Sequence, residues 1–220
     1  MPAAASAKAE LAGAAGAIEV ATQFPGSPRA VAVIAHPHPL FGGTMDNKVV
    51  TTLAKAFVES GAATYRFNFR GVGASAGAHD EGRGETDDML KVIEHARGEW
   101  KGKPLLIAGF SFGGAVATRA SSRADFDQLV LVAPGFRRFT GQGFGEPPDP
   151  HDPNLGPPGR HTTSNTIVIH GDLDETVPLS DSIAWAAARD VPVVVVAGGE
   201  HFFHRKLHVL REVVERWVRA

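Results

Sequence analysis

Cysteine is absent from all 220 residues, which excludes disulfide staples, thiolate metal sites and a cysteine nucleophile. Redox chemistry therefore says nothing about compartment. An excess of one charge is also missing, since 22 Lys and Arg stand against 24 Asp and Glu for a net charge of −2. No basic run breaks that balance, so neither nucleic acid nor an anionic membrane is an expected partner. No apolar run approaches the ~20 residues of a membrane span. The first ten residues, MPAAASAKAE, lack the basic-then-apolar order of a signal peptide. The expected location is cytoplasmic, and the expected partner is a small molecule.

What is present is an alternation. A chain of 220 residues buries a core without staples, and one domain over residues 1–220 is expected, with residues 1–8 as a flexible tail. Extended pieces at 10–12 and 17–24 flank Gly13-Ala14-Ala15-Gly16 as a hairpin. The apolar run at 30–35 reads as a strand buried on both faces, and 105–108, 129–133, 166–170 and 192–197 read as further strands. Residues 63–69 join them by their alternation. Helices are expected at 47–60, capped by Asp46, at 85–100, after Gly113, at 180–189 and at 204–218. This order argues an α/β fold: a mainly parallel, eight-stranded sheet with helices on both faces and a site at the strands' C-terminal ends. The interval 135–165 is broken by Gly and Pro, so no cap domain is expected.

The chain is organised around residues 105–114, LLIAGFSFGG. Strand, sharp turn carrying serine, then helix is the setting that a G-x-S-x-G nucleophile elbow requires. Gly109 and Gly113 remove side chains that would clash across the turn, and Ser111 then stands at a helix N-terminus. The bare pattern also matches Gly73-Ala74-Ser75-Ala76-Gly77, but no apolar helical period follows it. Ser75 is read as a loop residue.

A serine hydroxyl needs a base, and the base needs an orienting acid. In α/β-hydrolases these follow the serine in the order acid, histidine. Residues 170–178, HGDLDETVP, leave a strand and offer Asp172, Asp174 and Glu175. Asp174 is favoured as the acid, with Asp172 shaping the turn. Residues 197–204, AGGEHFFH, leave the last strand. His201 falls in the loop, and His204 in the first turn of the closing helix.

An oxyanion hole needs two backbone N–H donors. Phe112, directly after the serine, is one. The other is expected from residues 36–43, HPHPLFGG, where Pro37 and Pro39 have no N–H. His38 or Leu40 remains, with Leu40 preferred. His36 and His38 lack enough nearby carboxylates for a metal site, and no metal or cofactor is expected. Phe41, Phe110, Phe202 and Phe203, with Phe112, cluster on the loops around the serine as an expected apolar acyl pocket.

The run from His36 to Val50, HPHPLFGGTMDNKVV, with Arg70-Gly71-Val72-Gly73, the Gly109 to Gly114 elbow, residues 170–178 and Glu200-His201-Phe202-Phe203, resembles the small bacterial α/β-hydrolase family of predicted carboxylesterases with the HPHP-x-x-GGTM motif. The resemblance spans nearly the whole chain. It implies a catalytic Ser111, Asp174 and His201 and a serine-hydrolase mechanism, and hydrolysis of small, short-acyl esters is the reaction expected of them. It implies no particular substrate and no oligomeric state. A thioesterase or small peptidase would use the same three residues. A non-catalytic ligand-binding protein on this fold would have lost one of them, and none is lost.

Overall fold

The computed structural model describes residues 5–138 and 161–219. Within them, β1 (Ala5–Gly13) and β2 (Gly16–Phe24) form a hairpin across a two-residue turn, in register from Ala5 opposite Phe24 to Gly13 opposite Gly16. Then follow β3 (Ala30–Ala35), α1 (Lys48–Glu59), β4 (Ala62–Phe67), α2 (Arg83–Glu99), β5 (Leu105–Phe110), α3 (Phe112–Arg123) and β6 (Gln128–Val132). After the undescribed interval come β7 (Thr166–Gly171), α4 (Leu179–Ala187), β8 (Val193–Val196) and α5 (Leu207–Arg219). The eight strands make one sheet in the order β1-β2-β4-β3-β5-β6-β7-β8. Pairing is antiparallel at β1–β2 and β2–β4 and parallel from β4 to β8.

Alternation along β3 shows why these strands are apolar throughout. Val31, Val33 and Ala35 point to one face and share its core with Met89 and Ile93 of α2, Ala115 and Val116 of α3 and, farther along the sheet, Trp185 of α4. Ala32 and Ile34 point to the other and share its core with Leu53 and Phe57 of α1 and with Leu210 and Val214 of α5, the helix beside α1. A central strand therefore has no polar side, as a sheet with helices on both faces demands. The loops that leave β3, β5, β7 and β8 all emerge at the same C-terminal edge, which is where such folds place their ligands. No helix among the described residues is long and apolar enough to cross a membrane.

The structure corrects three local readings. Residues 5–8 are strand, not tail, because backbone pairing with β2 needs no apolar pattern from an edge strand. Asn47, not Asp46, caps α1, its Oδ1 accepting Val49 N–H at 2.8 Å. Asp46 instead pairs with Arg66 at 2.8 Å. Helix α5 starts at Leu207, because residues 200–206 are taken up by turns. The expectation that no cap is inserted falls on residues 139–160, outside those described.

Candidate active site

Ser111 stands between β5 and α3 with φ +55° and ψ −122°. That left-handed backbone costs a non-glycine residue about 1–3 kcal/mol and persists only where the surroundings enforce it. Here Ser111 N–H donates to Val132 O at 2.9 Å, and Ser111 O accepts from the N–H groups of Gly114 and Gly135, each at 2.9 Å. The flanking glycines are required because backbone meets backbone. A Cβ on Gly109 would lie 2.0 Å from Gly113 O, and one on Gly113 would lie 2.4 Å from His36 O.

His201 comes from the loop between β8 and α5, and Asp174 from the loop between β7 and α4. His201 Nε2 lies 3.1 Å from Ser111 Oγ, and its Nδ1 lies 2.7 Å from Asp174 Oδ2. The other carboxylate oxygen accepts the N–H groups of Thr176 and Val177 at 2.9 and 2.8 Å. Burial pushes this carboxyl up. Contacts with His170 and His201, the Val177 N–H and the charge on His201 outweigh burial and hold Asp174 well below the usual carboxylate range. An ionised carboxylate is acceptor-only, so the ring proton sits on Nδ1 and Nε2 turns its lone pair to Ser111.

The neighbouring acids have other tasks. Asp172 Oδ1 accepts Gly198 N–H at 2.6 Å, which ties the acid's loop to the histidine's loop instead of shaping its own turn. His204 pairs with Glu200 ahead of α5.

The loop after β3 corrects the oxyanion reading. Pro39–Phe41 forms a 3₁₀ turn capped by His38, whose Nδ1 accepts Leu40 N–H at 3.2 Å. Leu40 is 69% exposed and does not line the cavity around Ser111. The turn that two prolines favour points it outward. His38, the alternative, does line that cavity, and Phe112 opens α3 beside Ser111. His36 has both ring nitrogens engaged: Nδ1 is 2.6 Å from Pro37 O and Nε2 accepts Phe69 N–H at 3.0 Å. Burial lowers its pKa to about 4 against the contact with Pro37, and the charge of His38 adds to the lowering.

The cavity measures about 240 Å³ and holds Ser111 and His201 beside Pro37, His38, Phe41, Asn47, Thr176, Val177 and Phe202. Phe41 and Phe202 therefore line it, and both are partly in solvent. Phe110 and Phe203 do not. Phe110 packs beneath His201 with ring centres 4.9 Å apart, on the strand face it shares with Leu106 and Ala108, and Phe203 is buried in the same core. Thr176 and Val177 carried no signal of their own in the sequence. A larger cavity of about 330 Å³, with Arg137, Glu175 and Asp181 in its wall, adjoins across Thr176 and Val177 but contains none of Ser111, Asp174 and His201. Chemistry, not size, makes the smaller cavity the candidate site.

Comparison with known proteins bears on family and fold. Residues 26–145 match the family model described as serine aminopeptidase, S33. The crystal structure of a lidless α/β serine hydrolase from Xanthomonas campestris is 36% identical, with a TM-score of 0.83 over 97% of this chain and 94% of that one. An α/β serine hydrolase homologue from Coxiella burnetii is also 36% identical, with a TM-score of 0.80 over 96% of each chain. An uncharacterized protein of Rickettsia prowazekii is 38% identical over 111 residues, which are 49% of this chain and 47% of that protein. The match spans about half the length of that curated relative.

Proposed function

The chain belongs to the serine aminopeptidase S33 family of α/β serine hydrolases, and from that premise we propose that it is a carboxylesterase acting on small, short-acyl esters through Ser111, His201 and Asp174. Membership carries the fold and the serine-hydrolase chemistry; the ester is our own reading. The observation that supports it is the cavity wall. The described lining contains no carboxylate, whereas an aminopeptidase must hold a cationic amino terminus beside the reacting carbonyl, and a desolvated cation needs a partner. A volume of about 240 Å³ lies below the roughly 300–1,000 Å³ of sites for drug-sized ligands, which favours a small acyl group. We read the site as uncapped, as the Xanthomonas relative is described.

In this mechanism His201 Nε2 takes the Ser111 proton as Oγ attacks the ester carbonyl, and the backbone N–H groups of Phe112 and His38 hold the resulting oxyanion. The intermediate collapses as the imidazolium gives its proton to the leaving alkoxide, which releases the alcohol and leaves acyl-Ser111. Water, deprotonated by the same imidazole, attacks in turn and releases the acid. Asp174 stays ionised and keeps the imidazole in the working tautomer.

The test is hydrolysis of p-nitrophenyl esters from acetate to palmitate, beside aminoacyl p-nitroanilides and acyl thioesters, with Ser111→Ala as control. Turnover of the short esters is expected. A higher kcat/KM on anilides or thioesters would reassign the substrate class, and activity surviving Ser111→Ala would remove the mechanism.

A further inference from the structure

The acid has a second histidine beside it. His170, on β7 and four residues before Asp174, is fully buried. Its Nε2 lies 3.0 Å from Val177 O and 3.2 Å from Asp174 Oδ2, the oxygen that also meets His201. Its Nδ1 lies 2.8 Å from Ser182 Oγ on α4. A carbonyl and a carboxylate are both acceptors, so Nε2 carries the hydrogen and Nδ1 accepts from the Ser182 hydroxyl. The N–H is aimed at Val177 O, with Asp174 Oδ2 on its flank. Asp174 is the one ion-pair partner of this ring among the described residues.

A buried histidine satisfied by a carbonyl and a hydroxyl is by itself an ordinary core residue. Two features set this one apart. The β7 residues before it, Ile167, Val168 and Ile169, are apolar and buried, and an apolar residue at 170 would avoid the cost of burying an imidazole. The contacts also close a ring: Val177 N–H donates to Asp174 Oδ1, His170 binds Val177 O, and the same His170 edge faces Asp174 Oδ2.

We infer that His170 is a positioning residue for the reaction proposed above, clamping residues 174–177 so that Asp174 Oδ2 stays turned to His201. The inference rests on the assignment of Ser111, His201 and Asp174 as the reacting set. Two effects follow from the geometry. The clamp holds the acid in place, and the positive end of the N–H dipole disperses charge on Oδ2, which moderates how strongly the carboxylate stabilises the imidazolium of His201.

The experiment is the pH profile of kcat/KM on a p-nitrophenyl ester, with thermal melting, for His170→Phe, His170→Gln and Ser182→Ala, using Ser111→Ala as the blank. His170→Phe should lower kcat by about 10-fold to 100-fold, with a smaller change in KM. It should also move the acid limb upward by on the order of half a pH unit. His170→Gln, whose amide can still donate to Val177 O, should recover most of the loss. Ser182→Ala removes only a hydroxyl, so it carries the test if His170→Phe does not fold; it should show the same limb shift in weaker form. If the variants keep kcat within about twofold and retain the wild-type acid limb, or lose only melting temperature, His170 is a core residue and the inference is wrong. Activity surviving Ser111→Ala would bring down the functional reading and this inference together. An inactive Ser111→Ala with unaltered His170 variants would remove the inference alone.

Discussion

Two stretches of this chain spell G-x-S-x-G, at residues 73–77 and 109–113, and they share nothing but the letters. Ser75 is buried in a loop, where its Oγ accepts Glu19 N–H at 2.9 Å and donates to Asn68 O at 2.7 Å. Its hydrogen is committed to the backbone. The Oγ of Ser111 meets the imidazole of His201 and faces a cavity. The glycines differ as well. Gly73 and Gly77 have φ of +57° and +85°, a backbone that side chains disfavour. Gly109 and Gly113 are needed because other backbone lies where a Cβ would be. A motif of five letters therefore records no single physical cause, and the strand before it and helix after it decide which cause applies.

The largest effect that can break this contrast is loss of each hydroxyl. Ser111→Ala should lower ester hydrolysis by roughly 10⁶-fold, as in a comparable triad, with an unchanged unfolding midpoint. Ser75→Ala should leave kcat near wild type yet cost about 1–3 kcal/mol in urea unfolding, because Glu19 N–H and Asn68 O lose their partner. The reverse pattern would move the nucleophile to the loop.

Why was one serine legible and other details not? The elbow, the strands on either side of it and the two-faced sheet follow from apolar runs and their period, which are local signals. What escaped depends on contacts distant in sequence. Asp46 and Asn47 are equally good caps as neighbours, and only the Arg66 guanidinium, 20 residues on, takes Asp46 away. Leu40 carries an N–H in the expected loop, but the ring of His38 folds back onto it. Phe110 adjoins the serine in sequence, but strand parity turns it into the core. His170 gave no sign of its task because it stands at the end of a strand whose other residues fill the core.

The next effect separates two carboxylates as the first separates two serines. Asp174→Asn should lower kcat by about 10⁴-fold, since an amide beside Nδ1 favours the wrong tautomer. Asp172→Asn should keep kcat within several-fold of wild type, because an amide oxygen can still accept Gly198 N–H. Steady-state kinetics on one ester decide this, and a larger loss at position 172 would move the acid.

His36 connects the two serine stretches. Its carbonyl is the atom that a Cβ on Gly113 would strike, and its ring receives Phe69 N–H at the head of the loop carrying Ser75. Its folded pKa of about 4 lies below the ordinary 6.5. Above the higher value neither state binds the proton. As pH falls below it the unfolded chain binds first, and stability drops by up to about 3 kcal/mol by the lower value. His36→Gln should be weaker at neutral pH but lose less across that window. Urea midpoints from neutral pH down to the folded pKa measure this, and parallel slopes for the two proteins would assign the acid sensitivity elsewhere.

The smallest expected effect lies on the side of Ser111 that Ser75 lacks, the side facing the cavity. Phe41 is 72% exposed and Phe202 41% exposed, yet both line the cavity, so under the proposed esterase reading they flank an acyl chain without enclosing it. Each methylene that the cavity does bury should add about 0.8 kcal/mol, roughly fourfold in kcat/KM. In a cavity of about 240 Å³ that gain should stop after the first few carbons, since further ones remain in water. Phe41→Ala should lower the plateau by about 1 kcal/mol or less and leave the melting temperature unchanged, because an exposed ring contributes little to the core. No jump in rate should occur where the substrate passes its solubility limit. The measurement is kcat/KM for the ester series from acetate to palmitate in both proteins. A steady climb to the longest chains, or a sharp rise at the emulsion point, would show that the serine is covered and would refute the open reading of the site.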